Sequence, residues 1–280
     1  MRNDTKWTVA IVMEVLMNRL NKPRYACVAA GLLIAAMAAM VGPARAEDPP
    51  AALIGEEANA ALAHMSKTLM ANQFSFHSHT VRAYAGPNGE LLHVAHTTKT
   101  VVRRPDRLLV DATGDDGSSK MMYDGKTLVV YAVDQKQYES IPVSGKIEEM
   151  VDVAEKLLGV DFPLADLLTD DPEKSLLDGV TSGGQVGVAT IDGVPCRHFF
   201  FVQSPDLELE LWLEDNDRSL PRRVFVTYRS LPGHPTFLAE LSDWDFSIHP
   251  ADADFVFQPP AGVTQVVLRT KAGGIPAPAK

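Results

Sequence analysis

With 280 residues, 46% of them hydrophobic, the chain is long enough to bury a sizeable core in one domain or two small ones. The formal charge of −10 understates its acidity, because residues 1 to 46 hold six Lys and Arg and two Asp and Glu, leaving 20 basic against 34 acidic residues, a formal −14, beyond them. That balance argues against nucleic acid and anionic membrane surfaces as partners, both of which reward Lys and Arg, and reads as a solubilising surface.

At the N-terminus, Arg19, Lys22 and Arg24 precede an apolar run from Ala26 to Val41, and Ala44-Arg45-Ala46 supplies the small residues that signal peptidase requires. Residues 1 to 46 therefore read as a signal peptide cleaved between Ala46 and Glu47, and export to the periplasm is expected. The apolar run falls short of the ~20 residues needed to span a bilayer. Residues 1 to 16 read as an upstream extension, with Met13 and Met17 as alternative starts. Cys27 leaves with the signal, so the mature chain keeps one cysteine, Cys196, and stability must come from core burial rather than an internal disulfide.

In the mature chain, Leu53 to Asn72 has apolar residues at Leu53, Ile54, Ala58, Leu62, Met65, Leu69 and Met70, a helical spacing. Phe74 to Tyr84 and Glu90 to Arg104 read as strands joined by the turn formers Gly86-Pro87-Asn88-Gly89. Pro105-Asp106 turns the chain into Leu108 to Ala112. Asp124-Gly125 joins a strand near Met121 to Thr127 to Val133, and Tyr138 to Val143 follows. A second helix is expected from Lys146, where Ile147, Met150, Val151, Ala154, Leu157 and Leu158 recur at three and four, with Gly159 as terminator. Short helices at Pro163 to Leu168 and Pro172 to Leu177 complete this interlude.

From Val180 to Phe246 the pattern is a β-meander. Asp192-Gly193 is a strong two-residue hairpin signal. Leu207, Leu209, Leu211 and Leu213 alternate with Glu208, Glu210, Trp212 and Glu214, which puts all four leucines on one face, and Val224, Val226 and Tyr228, then Phe237, Ala239 and Leu241, continue that face. The order helix, strands, helices, strands lacks βαβ alternation. An antiparallel α+β domain spanning residues 47 to 280 is expected, with about ten strands in a curved, unclosed half-barrel packed over a few helices.

Side chains with chemical potential are few. His77 and His79 share a strand, and if Ala85 pairs with Glu90, His79 falls opposite His96, a spacing at which two imidazoles share a metal; without a third ligand a polar sheet face is the better account, and no metal or cofactor is expected. Glu208 and Glu210 lie roughly 7 Å apart on one face, but as partners of Arg223 and Arg229 they need no acid-base role. Glu214-Asp215-Asn216-Asp217 lacks the Gly and distal Glu of a calcium loop and reads as a hairpin turn. Cys196, alone on a strand, reads as a buried inert thiol. The chain has no G-x-S-x-G, H-E-x-x-H, C-x-x-C or phosphate loop, and no catalysis is expected.

The phrases Asp192-Gly193-Val194-Pro195-Cys196-Arg197-His198, Leu211-Trp212-Leu213, Leu220-Pro221-Arg222-Arg223, Leu241-Ser242-Asp243-Trp244 and Phe255-Val256-Phe257-Gln258-Pro259-Pro260-Ala261-Gly262 resemble a family of exported bacterial proteins of unknown function. That family is in turn similar to the periplasmic lipoprotein-carrier fold of LolA, LppX and RseB, in which a curved antiparallel sheet forms an unclosed barrel over helices around an apolar cavity. The resemblance implies a periplasmic carrier or binder of a lipid, acyl chain or other hydrophobic molecule. Its alternative is a regulatory protein of RseB type that senses or covers a periplasmic or envelope protein.

A cavity is also expected from the residues themselves. Phe199, Phe201, Leu207, Leu209, Leu211, Val224, Val226 and Tyr228 offer more apolar surface than a sheet leaves in water, and straight helices on a curved sheet leave a hollow where it bends away. Met65, Met70 and Met150 on the covering helices suit its walls, gap-filling in a packed core being the even alternative.

Overall fold

The computed structural model describes residues 53 to 86, 90 to 158, 162 to 204 and 206 to 267. The expected signal peptide, its cleavage site, Cys27 and the Gly159 terminator lie outside the described residues, as do residues 87 to 89 of the first hairpin connection. No described helix is long and apolar enough to cross a membrane.

The chain lays down β1 (Leu53–Ile54), α1 (Glu56–Leu69), β2 (Gln73–Ala85), β3 (Leu91–Arg103), β4 (Arg107–Gly114), β5 (Gly117–Tyr123), β6 (Thr127–Ala132) and β7 (Gln137–Pro142). The helical interlude follows as α2 (Ile147–Leu158), a 3-10 turn (Ala165–Leu168) and α3 (Pro172–Leu177). Then come β8 (Val180–Ile191), β9 (Val194–Gln203), β10 (Leu207–Glu214), β11 (Pro221–Tyr228), β12 (Thr236–Asp245), a second 3-10 turn (Asp252–Phe255) and β13 (Thr264–Gln265). All the strands join one curved, unclosed sheet in the order β1-β8-β9-β10-β11-β12-β2-β3-β4-β5-β6-β7-β13. Among the described residues it has thirteen strands rather than about ten, and it is mixed rather than purely antiparallel. The extra strands are short pieces at the edges: β1 pairs in parallel with β8 through Leu53 and Ile54, and β13 with β7 through Thr264 and Gln265. Two residues carry no periodicity, so neither piece stands out in the sequence.

Alternation does the main work. Leu209 pairs with Phe201 and Val226, and Leu211 with Phe199 and Val224, so one row after another of apolar side chains falls on the inner face. On β2 to β7 the same face carries Phe74, Phe76, Val102, Leu108, Tyr123, Leu128 and Ile141, all nearly inaccessible to solvent. The helices close over it with Ala58, Leu62, Met65 and Leu69 of α1 and Ile147, Met150 and Ala154 of α2, in a single contiguous core. Each fully buried Leu or Phe contributes roughly 1.5–3 kcal/mol.

Local chemistry explains the turns and joints. Asp192 and Gly193 both have positive φ, 48° and 78°, as the expected hairpin requires. At Asp124-Gly125 only Gly125 does, at 84°. There the Asp124 carboxylate accepts hydrogen bonds from the N–H groups of Lys126 and Thr127, so the side chain forms the turn. Gly183 has a different reason: a Cβ there would sit 2.3 Å from the ring of Phe201. Asp171 caps α3 by accepting from the Lys174 N–H, with Pro172 at the first helical position.

The phrases behind the family resemblance are structural as well. A bulge between Ser242 and Asp245, with Asp243 at φ 54°, turns Trp244 into the core, where it stacks 4.5 Å from Phe76 and donates its indole N–H to the carbonyl of Pro221. The C-terminal segment crosses the outer face of β3 to β7. Phe255 lies buried under Arg103, and Phe257 packs on Tyr131 and Tyr138 over a second small core of Met122, Val129 and Tyr131. Cys196 is 1% exposed, its thiol directed at the carbonyl of Val194, and burial pushes its pKa up, the opposite of what a nucleophilic thiol needs.

Candidate cavity between the helices and the sheet

A cavity of about 440 Å³ lies where α2, α3 and the segment between them stand over β10 and β11. Its position follows from how α2 is anchored. Glu149 accepts from the Lys146 N–H at 2.7 Å, reaching back over the helix start as in a capping box, and the phenol of Tyr123 donates to the Gly145 carbonyl at 2.7 Å. Arg104, at the end of β3, donates to the carbonyl oxygens of Leu69 and Leu168, which ties the last turn of α1 and the 3-10 turn to the sheet. Burial pulls its pKa down, Asp170 and Glu148 pull it up, and the net shift is downward. Asp170 also takes Lys146 at 2.5 Å and gives its N–H to Glu148. The near end of α2 is thereby fixed.

The floor is the sheet: Leu207, Leu209, Val226 and Tyr228, with Gln203 at the end of β9. Opposite it stand Ile147 and Val151 of α2, Phe162 and Pro163 of the connecting segment, and Leu176 of α3. Polar side chains enter from the same helices and segment: Glu148, Asp152 and Glu155 of α2, Asp166 and Thr169 beyond it, and Ser175 of α3. Asp152 is 70% exposed, which places the mouth along the outer side of α2.

Four of the eleven expected lining residues, Leu207, Leu209, Val226 and Tyr228, therefore meet at the cavity. Phe199, Phe201, Leu211 and Val224 share the same face but pack in the closed core beside it. Met65 and Met150 are 0% exposed within that core and do not line the cavity; gap-filling describes them better. Met70 follows the last turn of α1 and is 53% exposed, so it faces water. The acidic stripe is not singled out by the sequence reading, yet the signal is there. Glu148, Asp152 and Glu155 recur at four and three, one helical face beside the apolar one.

The other candidates separate. Ala85 pairs with Leu91, not Glu90, and the Gly86 N–H reaches the Glu90 carbonyl at 2.7 Å. This one-residue difference sets His79 opposite Thr97 and His96 opposite Thr80, so His79 and His96 lie on opposite faces of the sheet and cannot share a metal. Among the described residues no three His, Cys, Asp or Glu side chains are grouped as a metal site. On the outer face Glu208 meets Arg229 at 2.5 Å, as expected. Glu210 instead pairs with His198, and Arg223 with Glu240.

His96 lies against Gly114 on the inner face, its Nε2 2.6 Å from Asp116, with both side chains about a quarter exposed. The hydrogen bond to Asp116 raises the His96 pKa, and the same bond lowers that of Asp116. Stability from the raised imidazole is complete below its ordinary 6.5 and is lost as pH rises through the folded value. Stability from the depressed carboxylate is complete above its ordinary 3.8 and is lost as pH falls through the folded value. Asp116→Asn is therefore expected to destabilise more at pH 5.5 than at pH 8.5, the difference reaching about 1 kcal/mol for a pair this accessible. Urea midpoints at the two pH values measure it, and equal losses at both would show that the pair is not ionic.

A family model described as predicted periplasmic protein (DUF2092) matches residues 58 to 268, most of the described chain. The chain belongs to this family. The match agrees with the family expected from the hairpin and tryptophan phrases, and it puts the DUF2092 protein in the periplasm. No curated protein matches it in sequence. Solved structures similar to it include an uncharacterised conserved protein from Thermus thermophilus, 11% identical with a TM-score of 0.45, covering 75% of this chain and 99% of that one. Lipoprotein LppX of Mycobacterium tuberculosis is 14% identical with a TM-score of 0.43, covering 70% and 99%. MucB, also solved in the Pseudomonas aeruginosa MucA/MucB complex, is 16% identical with a TM-score of 0.42, covering 73% of this chain and 64% of that one.

Proposed function

We propose that this DUF2092 protein is a periplasmic carrier or binder of a lipid, acyl chain or other hydrophobic molecule. One observation carries the reading: over Leu207, Leu209, Val226 and Tyr228 the helices stand off the inner face of the sheet, and an open cavity of about 440 Å³ keeps apolar surface uncovered there. That volume lies within the range of small-molecule sites, roughly 300–1,000 Å³. An alkyl chain of about twelve carbons gains roughly 10 kcal/mol on burial. With the smallest association cost, about 4 kcal/mol, the affinity falls in the tens of micromolar.

Native mass spectrometry of the protein purified from its own periplasm is expected to show a co-purifying hydrophobic adduct. Titration with the uncharged fluorophore N-phenyl-1-naphthylamine is expected to saturate at one site per chain. No adduct and no saturable fluorescence would remove the carrier reading. A protein partner crosslinked in the periplasm by the ligand-free chain would then favour the regulatory role.

A further inference from the structure

We infer that the cavity takes amphiphiles with a single hydrocarbon chain, such as a fatty acid or a lysolipid, and excludes lipids that carry two; this rests on the hydrophobic-ligand reading above. The floor consists of two short rows of side chains, Leu207 and Leu209 on β10 and Val226 and Tyr228 on β11, paired Leu207 to Tyr228 and Leu209 to Val226. Rows on adjacent strands stand about 5 Å apart and leave one groove between them. That groove is the width of one hydrocarbon chain, whose carbon contacts fall at about 4 Å.

A second groove needs a third row, and the neighbouring strands do not offer one. On β9, Leu209 pairs with Phe201, which is buried in the closed core, and Leu207 pairs with the polar Gln203. On β12, Val226 pairs with Phe237, buried in the same core. The groove is also blind at one end, because the next pair along its two strands, Leu211 and Val224, is nearly inaccessible to solvent. At the other end stand Leu207 and Tyr228, both half-buried. Of the lining opposite the floor, Phe162, Pro163 and Leu176 are apolar and roof the same groove, whereas Asp152, Thr169 and Ser175 are polar. A second chain on the same head therefore lies in water or against polar groups, without the burial that stabilises the first.

The test is displacement of N-phenyl-1-naphthylamine by lauroyl-lysophosphatidylcholine and by dihexanoyl phosphatidylcholine, both below their micellar concentrations. The two lipids share a head and a number of chain carbons, held in one chain or divided between two. The single-chain lipid is expected to bind about a hundredfold or more tightly, because half of the other's carbons stay outside. Across lysophosphatidylcholines from octanoyl to palmitoyl, affinity is expected to rise about threefold or more per added carbon and to level off where the chain meets Leu211 and Val224. Leu211→Ala, or Val224→Ala should the first variant unfold, is expected to move that plateau to longer chains, and Glu208→Gln on the outer face to leave it in place. Equal affinities for the one-chain and two-chain lipids, or a plateau unmoved in a folded end-wall variant, would overturn the single-chain selection and leave the cavity reading standing. Failure of every lysolipid to displace the fluorophore would overturn both.

Discussion

Leu209→Glu is expected to abolish binding of N-phenyl-1-naphthylamine, while Glu208→Gln retains it at the wild-type level. The two positions are adjacent in sequence and opposite in space. Leu209 is 7% exposed on the floor of the cavity, and Glu208 sits on the outer face against Arg229. A carboxylate at position 209 takes away apolar floor. It also either draws water into the cavity or remains protonated there, and each outcome removes the environment that an uncharged fluorophore needs. The effect is larger than any expected from the mouth, because the tail rather than the head supplies the affinity. Circular dichroism and a thermal melt establish that the variant is folded. Should it unfold, Leu207→Glu, at the half-buried rim of the same floor, takes its place. Equal probe binding by a folded floor variant and the wild type would show that the fluorophore binds elsewhere and would remove the carrier reading.

Leu211→Ala is expected to cost about 3–4 kcal/mol, against about 1–2 kcal/mol for Leu209→Ala two residues earlier on the same strand and face. Leu211 is 0% exposed between Phe199 and Val224, with core on every side, so truncation leaves a void that its neighbours cannot fill. Leu209 already borders empty space, so part of its surroundings is missing before any atom is removed. In a chain of this size the larger loss corresponds to a melting shift of the order of 10 °C. Urea unfolding of the two variants reads the difference directly. Matching losses would mean that the space above Leu209 is closed in solution.

What was legible in the sequence is whatever repeats. The Leu207 to Leu213 alternation, the apolar stripe of α2 and the Asp192-Gly193 turn each sum over several residues or require one particular backbone, and the structure has them where the sequence puts them. Parallel edge strands of two residues fall below any period. Register across the first hairpin hung on one residue of connection length, and that residue decided whether His79 and His96 share a face. The floor of the cavity was legible because it is simply part of the inner face. Its limits were not: composition does not distinguish Leu209 beside a hollow from Leu211 beside Phe199, nor a methionine that fills a gap from one that walls a site. The carboxylates of α2 were overlooked because an acidic helix face is ordinarily a solvated one.

The sheet's failure to close has a further consequence for how the protein behaves at high concentration. In β8 only Ser182 and Gly183 are covered by β1, so among the described residues the stretch from Gln185 to Ile191 has no strand partner on that side and forms a free border, with Val186 and Val188 61% and 76% exposed. Such a border is a template for adding strands from other molecules. Here it is spoiled from within: Gly184 and Gly187 interrupt the run of side chains, and the irregularity between Gln185 and Gly187 breaks the spacing that an incoming strand would have to match. The same glycines that weaken β8 as a strand therefore guard the open half-barrel against growing into a continuous sheet from one molecule to the next.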